Sequence, residues 1–140
     1  MKTKTMLAML ALGATVAFAG PAFAEKMKAT LDGKSEVLAN TSAGKGTADV
    51  DYDAATKKLT WTLTYSGLSG PATAAHFHGP AEPGKNAGVA VAIPNAGTSP
   101  VSGSATLTDA QAADLTAGKY YVNIHTAANP GGEIRGQVTK

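Results

Sequence analysis

Polar and apolar positions alternate without a break along residues 58–65. Leu59, Trp61, Leu63 and Tyr65 share one face there, and Lys58, Thr60, Thr62 and Thr64 the other. A period of two belongs to a strand with one buried face, and threonine and aromatic side chains suit a pleated sheet. Weaker versions recur at 27–31, 47–52, 73–78, 89–93, 101–107, 120–126 and 133–138. Turn-formers fall between them: Asp32-Gly33, Asp53, Ser66-Gly67, Gly79-Pro80, Pro94-Asn95 and Asn129-Pro130-Gly131-Gly132. Seven or eight short strands so punctuated predict an all-β fold, an antiparallel β-sandwich of the Ig-like or Greek-key type. Leu59, Trp61 and Leu63 are assigned to its core. One stretch breaks the pattern. Thr108-Asp109-Ala110-Gln111 has capping-box spacing, alanines follow, and Gly118 is a helix stop, so a short helix is predicted over 109–117. The segment 81–88 reads as a mobile loop.

The first residues follow a different pattern. Lys2 and Lys4 precede an apolar run over 6–19, a Gly20-Pro21 break and then Ala22-Phe23-Ala24. This is the layout of a secretory signal peptide, with cleavage expected after Ala24. The run is shorter than the roughly 20 residues a membrane span needs, so an uncleaved anchor is the weaker reading. Residues 1–24 are therefore assigned to the leader and 25–140 to one domain, in the periplasm or secreted, with no membrane span in the mature chain.

Composition narrows the function. Taking Lys2 and Lys4 from the twelve basic residues leaves ten, against ten acidic ones. A neutral chain without a Lys/Arg cluster lacks the footprint of a nucleic-acid binder. With no cysteine, disulfides, thiolate metal sites, thiol nucleophiles and blue-copper centres are all excluded. The serines occupy no nucleophile elbow, and Gly44-x-Gly46 lacks the lysine and helix of a phosphate loop. Asp49, Asp51 and Asp53 alternate into a turn and read as a solvated face. No catalytic residue is assigned.

The chemistry concentrates in three histidines. His76 and His78 sit two apart on a strand, so both leave the same face with Cα atoms roughly 6.5 Å apart. Two such imidazoles can share one metal ion at about 2.0–2.1 Å each. His125 ends a separate strand. If hairpins carry 73–78, 89–93 and 101–107 up, down and up, and the helix returns the chain, 120–126 runs up again. His125 then joins the other two at one end of the domain. Three imidazoles suit copper, and zinc less specifically. In the competing reading the histidines are structural, bonding backbone carbonyls and capping the loop after His78. Asn123, Glu133 and Arg135 are candidates for orienting the histidines. Glu133 is the carboxylate for that role and Arg135 a guide for anions. The competing roles are a buried-backbone partner for Asn123, and a salt bridge or turn clamp for Glu133 and Arg135.

Three phrases carry a resemblance: Ala74-Ala75-His76-Phe77-His78-Gly79-Pro80-Ala81, the run from Leu115 to Thr126, and Asn129-Pro130-Gly131-Gly132-Glu133-Ile134-Arg135-Gly136. Leu31-Asp32-Gly33-x-x-Glu36-Val37 fits as well. Together they resemble the CHRD (chordin-like) domain family over about residues 27–138. The resemblance implies a β-sandwich module found in exported bacterial proteins and in chordin-type extracellular proteins, and no established reaction. The H-x-H motif is also locally similar to the copper site of Cu/Zn superoxide dismutases, but this chain has no fourth histidine. Three functions stand in order: a metal-binding domain for metal handling, a non-catalytic interaction module on an envelope or extracellular protein, and a dismutase-type redox enzyme.

Overall fold

The computed structural model describes residues 13–15 and 24–140. The predicted leader, apart from 13–15 and Ala24, lies outside the described residues. Eight strands and one α-helix follow among the described residues: β1 Glu25–Asp32, β2 Lys45–Asp53, β3 Lys58–Ser66, β4 Ala72–His78, β5 Val89–Ala92, β6 Val101–Thr106, α1 Asp109–Thr116, β7 Tyr121–Thr126 and β8 Ile134–Gln137. No helix among them is long and apolar enough to cross a membrane.

All eight strands join one sheet in the order β5-β4-β7-β8-β1-β2-β3-β6, and every pairing is antiparallel. The all-β antiparallel class is as predicted. The two facing layers, however, belong to a single sheet that rolls over until it is nearly a closed barrel. Trp61 of β3 meets Phe77 of β4 edge-on at 5.3 Å, although four strands separate β3 from β4 in the sheet. The strict alternation of β3 is realised: Leu59, Trp61 and Leu63 are buried while the lysine and threonines between them face water. Met27, Ala29 and Leu31 of β1 and Ala48, Val50 and Tyr52 of β2 complete that wall.

The gap between the edge strands β5 and β6 is filled by the chain that joins them and by α1. Ile93, Ala96, Val101, Leu107 and Leu115 are buried there, and Gln111 Nε2 donates to the Ala90 carbonyl at 3.1 Å. The helix starts as its capping box requires. Gln111 N–H donates to Thr108 Oγ1 at 3.1 Å, and Thr108 N–H donates back to Gln111 Oε1 at 3.0 Å.

The strand directions correct the sequence-based topology. β5 does turn back beside β4, but β6 leaves β5 and pairs with β3. β7 then lies antiparallel to β4, so 120–126 runs opposite to 73–78 rather than with it. A four-residue β5 leaves the chain free to cross the open side of the barrel, and the hairpin assumption fails at that step.

Candidate metal centre

The register of β4 on β7 brings the histidines together by a route other than the one predicted. Ala74 lies opposite His125, His76 opposite Asn123, and His78 opposite Tyr121. Directly opposed residues share a face, and so do their diagonal neighbours. His76, His78, Asn123, Tyr121 and His125 therefore all leave the outer face of the β4–β7 pair. Ala75, Phe77, Val122 and Ile124 fill the core on the other face. On the next strand, Arg135 lies opposite Asn123 and joins the outer group.

The three predicted ligands converge: one ring nitrogen from each lies within 4.8 Å of the others. His76 Nδ1 stands 3.2 Å from His125 Nε2. Two nitrogens on one tetrahedral ion with bonds of about 2.0–2.1 Å would be about 3.3 Å apart, so that pair already has the spacing of a chelate. Backbone carbonyls fix the other sides of two rings. His78 Nδ1 donates to the Ala87 carbonyl at 3.0 Å, and His125 Nδ1 to that of Pro130 at 2.8 Å. A carbonyl only accepts, so each Nδ1 carries a proton; on His125 this leaves the lone pair of a neutral ring on Nε2, whereas His78 Nε2 faces a second acceptor, Asn123 Oδ1. This is how metal-binding imidazoles are usually held.

Burial pushes the His76 imidazole below its ordinary range, and the nearby His125 and His78 push the same way. His78, 8% exposed, is lowered by burial too. Its bonds to Ala87 and Asn123 pull upward, and His125 and Arg135 press down again. Both rings are thus biased to the neutral form a metal requires.

Asn123 sits where the sequence put it. Its Oδ1 position is 2.9 Å from His78 Nε2, and its Nδ2 reaches the Gly131 carbonyl at 3.5 Å. It touches a histidine through its oxygen and a backbone carbonyl through its nitrogen. Arg135, read as a guide for anions, is shut away from solvent. It is 2% exposed and folded inward, with Cζ 3.5 Å above the Tyr121 ring. Its guanidinium donates to Asn86 Oδ1 at 3.1 Å and to the Lys85 carbonyl. Its charge is met by dipoles and an aromatic face, and no carboxylate pairs with it among the described residues.

Glu133 touches no histidine and forms no salt bridge with Arg135. It precedes β8, fully buried, and accepts from Ser42 Oγ at 2.9 Å, Ser69 N–H at 2.9 Å, Thr126 Oγ1 at 2.9 Å and Asn129 Nδ2 at 3.0 Å, with Ser69 Oγ a fifth donor. Burial works to raise its pKa, but the bonds from Ser69, Thr126 and Ser42 outweigh it and hold the carboxyl at about 2. It clamps the turn at Asn129 to the loops around Ser42 and Ser69.

Two residues of the site escaped the sequence reading. Tyr121 lies between His78, stacked at 4.8 Å and 3°, and the Arg135 guanidinium. Its period of two with Asn123 and His125 was visible, but a tyrosine on a strand reads as ordinary packing. Glu36 arrives from a loop between β1 and β2, and only its place in the Leu31–Val37 phrase marked it.

The loop 79–88 is not loose. It lies across the outer face, held by Arg135, by His78 and by Ala87 N–H on Tyr121 Oη at 3.1 Å, with Gln137 Nε2 on the Ala81 carbonyl at 2.8 Å.

A rolled antiparallel sheet bearing a three-histidine cluster on its outer face defines an all-β domain with a candidate metal centre. Residues 27–138 match the CHRD domain, and the chain belongs to that family. No curated protein and no solved structure matches it.

Proposed function

We propose that this chain is exported, loses its leader after Ala24, and binds a transition metal through His76, His78 and His125 in the periplasm or beyond it. Copper is the first choice and zinc the second, and the role is metal handling. The observation that carries this reading is the convergence of the three rings, one nitrogen of each within 4.8 Å of the others, with His78 and His125 held from behind by carbonyl bonds at Nδ1. Three imidazoles without a carboxylate among them suit Cu(II) and Zn(II) better than a hard cation.

Metal content of untagged protein, recovered from the periplasmic or culture fraction with the mass of a chain starting at Glu25, is the test. One Cu(II) per chain should bind and raise the melting temperature, with stabilisation of about 2.7 kcal/mol at a hundredfold excess over Kd. His76→Ala, His78→Ala and His125→Ala should each remove most of that gain, and affinity should fall as protons compete below about pH 6.5. If His125→Ala binds copper as well as wild type, the three-ligand site is wrong. If no variant changes metal binding while all three lose stability, the histidines are structural and the domain is an interaction module.

A further inference from the structure

Two lone pairs face each other in this site. His78 Nδ1 donates its proton to the Ala87 carbonyl at 3.0 Å, so a neutral ring presents only a lone pair at Nε2. The atom opposite, at 2.9 Å, is Asn123 Oδ1, which also only accepts. The amide could relieve this by turning over and offering its NH2, but its other side forbids that. There Nδ2 meets the Gly131 carbonyl at 3.5 Å. Glu36 Oε1, shut away from solvent and without a hydrogen-bond partner, lies on the same side. A Cβ on Gly132 would stand 2.7 Å from Asn123 Nδ2 and 2.5 Å from Glu36 Oε1, so the two atoms flank one bare glycine. Burial raises the Glu36 carboxyl to about 7, so at pH 8 it is ionised and both neighbours of the NH2 are acceptors. The amide oxygen is therefore held toward His78, and the gap between Oδ1 and Nε2 takes a cation. That cation is a second proton on the ring or a metal ion, and burial weakens the ring's hold on the proton.

The spacing suits an ion bound by both atoms. Bonds of about 2.0–2.1 Å at angles of about 90–110° leave two ligand atoms about 2.8–3.4 Å apart. The 2.9 Å between Nε2 and Oδ1 falls in that span, as does the 3.2 Å between His76 Nδ1 and His125 Nε2. Asn123 lies opposite His76 and two residues before His125, so its side chain rises among the three rings. An ion shared by Nε2 and Oδ1 sits to one side of the line joining them, and each group tilts toward it.

We propose that Asn123 is the fourth ligand of the metal centre: its Oδ1 binds the ion held by His76, His78 and His125, while its NH2 stays on the Gly131 side. The inference rests on the metal-binding reading. Three nitrogens and one neutral oxygen fill the four positions of a tetrahedral ion. A filled set leaves no place for a substrate, which fits holding a metal and not turning over a substrate on it.

The test is Zn(II) binding at pH 8 by untagged wild type and Asn123→Ala, with a crystal structure of the wild-type Zn(II) complex. Asn123→Ala should bind about tenfold or more weakly, since losing a ligand costs at least as much as losing a group that orients one. Asn123→Asp keeps an oxygen in place and should bind more tightly than Asn123→Ala. A residue that merely positions His78 would also lower affinity, so the crystal structure decides between the two roles. It should show Oδ1 about 2.0–2.2 Å from the ion. Three histidines and a water around the ion, or equal affinity of wild type and Asn123→Ala, overturns the proposal and leaves the three-histidine site standing. A wild type that binds no metal overturns the metal reading, and this proposal with it.

Discussion

At the scale of single residues, the face assignment of β3 was written in its alternation, and Trp61 is where it matters most. Its ring is 2% exposed, packs on Phe77, and lies so close to β6 that a Cβ on Gly103 would stand 2.6 Å from its Cζ2. Trp61→Ala should cost about 3–5 kcal/mol, the usual range for emptying a buried aromatic site, and denaturant unfolding followed by circular dichroism would measure it. A variant melting within a degree or two of wild type would show that the site collapses without penalty. Glu133 was less legible. Two residues from Arg135 in the sequence, it invited a salt bridge, yet its donors are hydroxyls and amides from Ser42, Ser69, Thr126 and Asn129. Those contacts depend on loops whose approach no local pattern encodes. The histidines lay between these cases. The spacing of His76 and His78 fixed their common face, while the company of His125 depended on which strand pairs with which.

At the scale of elements, strands and helix were readable because their signals are local: a period of two, a capping box, a glycine stop. Pairing is not local, and the error over β6 and β7 arose there. The fixing of loop 79–88 was invisible for the same reason. Its Gly and Pro content suggested mobility, but the loop is tied down by a buried arginine four strands later in the chain. Arg135→Met keeps most of the apolar stem and removes the donors, and hydrogen bonds to a charged group contribute about 1.5–3 kcal/mol each. We expect hydrogen exchange at Lys85 and Ala87 to accelerate in this variant, with a stability loss in that range, while the β3 amides keep their protection. Unchanged exchange in the loop would mean that Tyr121 and His78 hold it unaided.

At the scale of the whole molecule, the rolled sheet leaves a few ionisable groups in low-dielectric surroundings, and their opposite shifts shape stability against pH. Glu133, held at about 2 against an ordinary 4.5, contributes stability that is complete above pH 4.5 and lost as pH falls toward 2. His76 and His78 lie below 6.5, so the unfolded chain takes their protons first and stability drains as pH falls below that value. Glu36 acts in the other direction. Raised by burial to about 7, it keeps a proton that the unfolded chain gives up above about 4.5. Its contribution is therefore full below pH 4.5 and lost as pH rises through 7. Glu36→Gln cannot titrate, so in metal-free buffer its stability relative to wild type should climb between pH 4.5 and 7 and level off above. With a discount for the partial exposure of Glu36, the climb should be on the order of 2 kcal/mol. Urea unfolding at pH 4, 5.5, 7 and 8 measures it. Parallel curves for the two proteins would mean that Glu36 titrates normally, and the unmet oxygen beside Asn123 would then be reached by water.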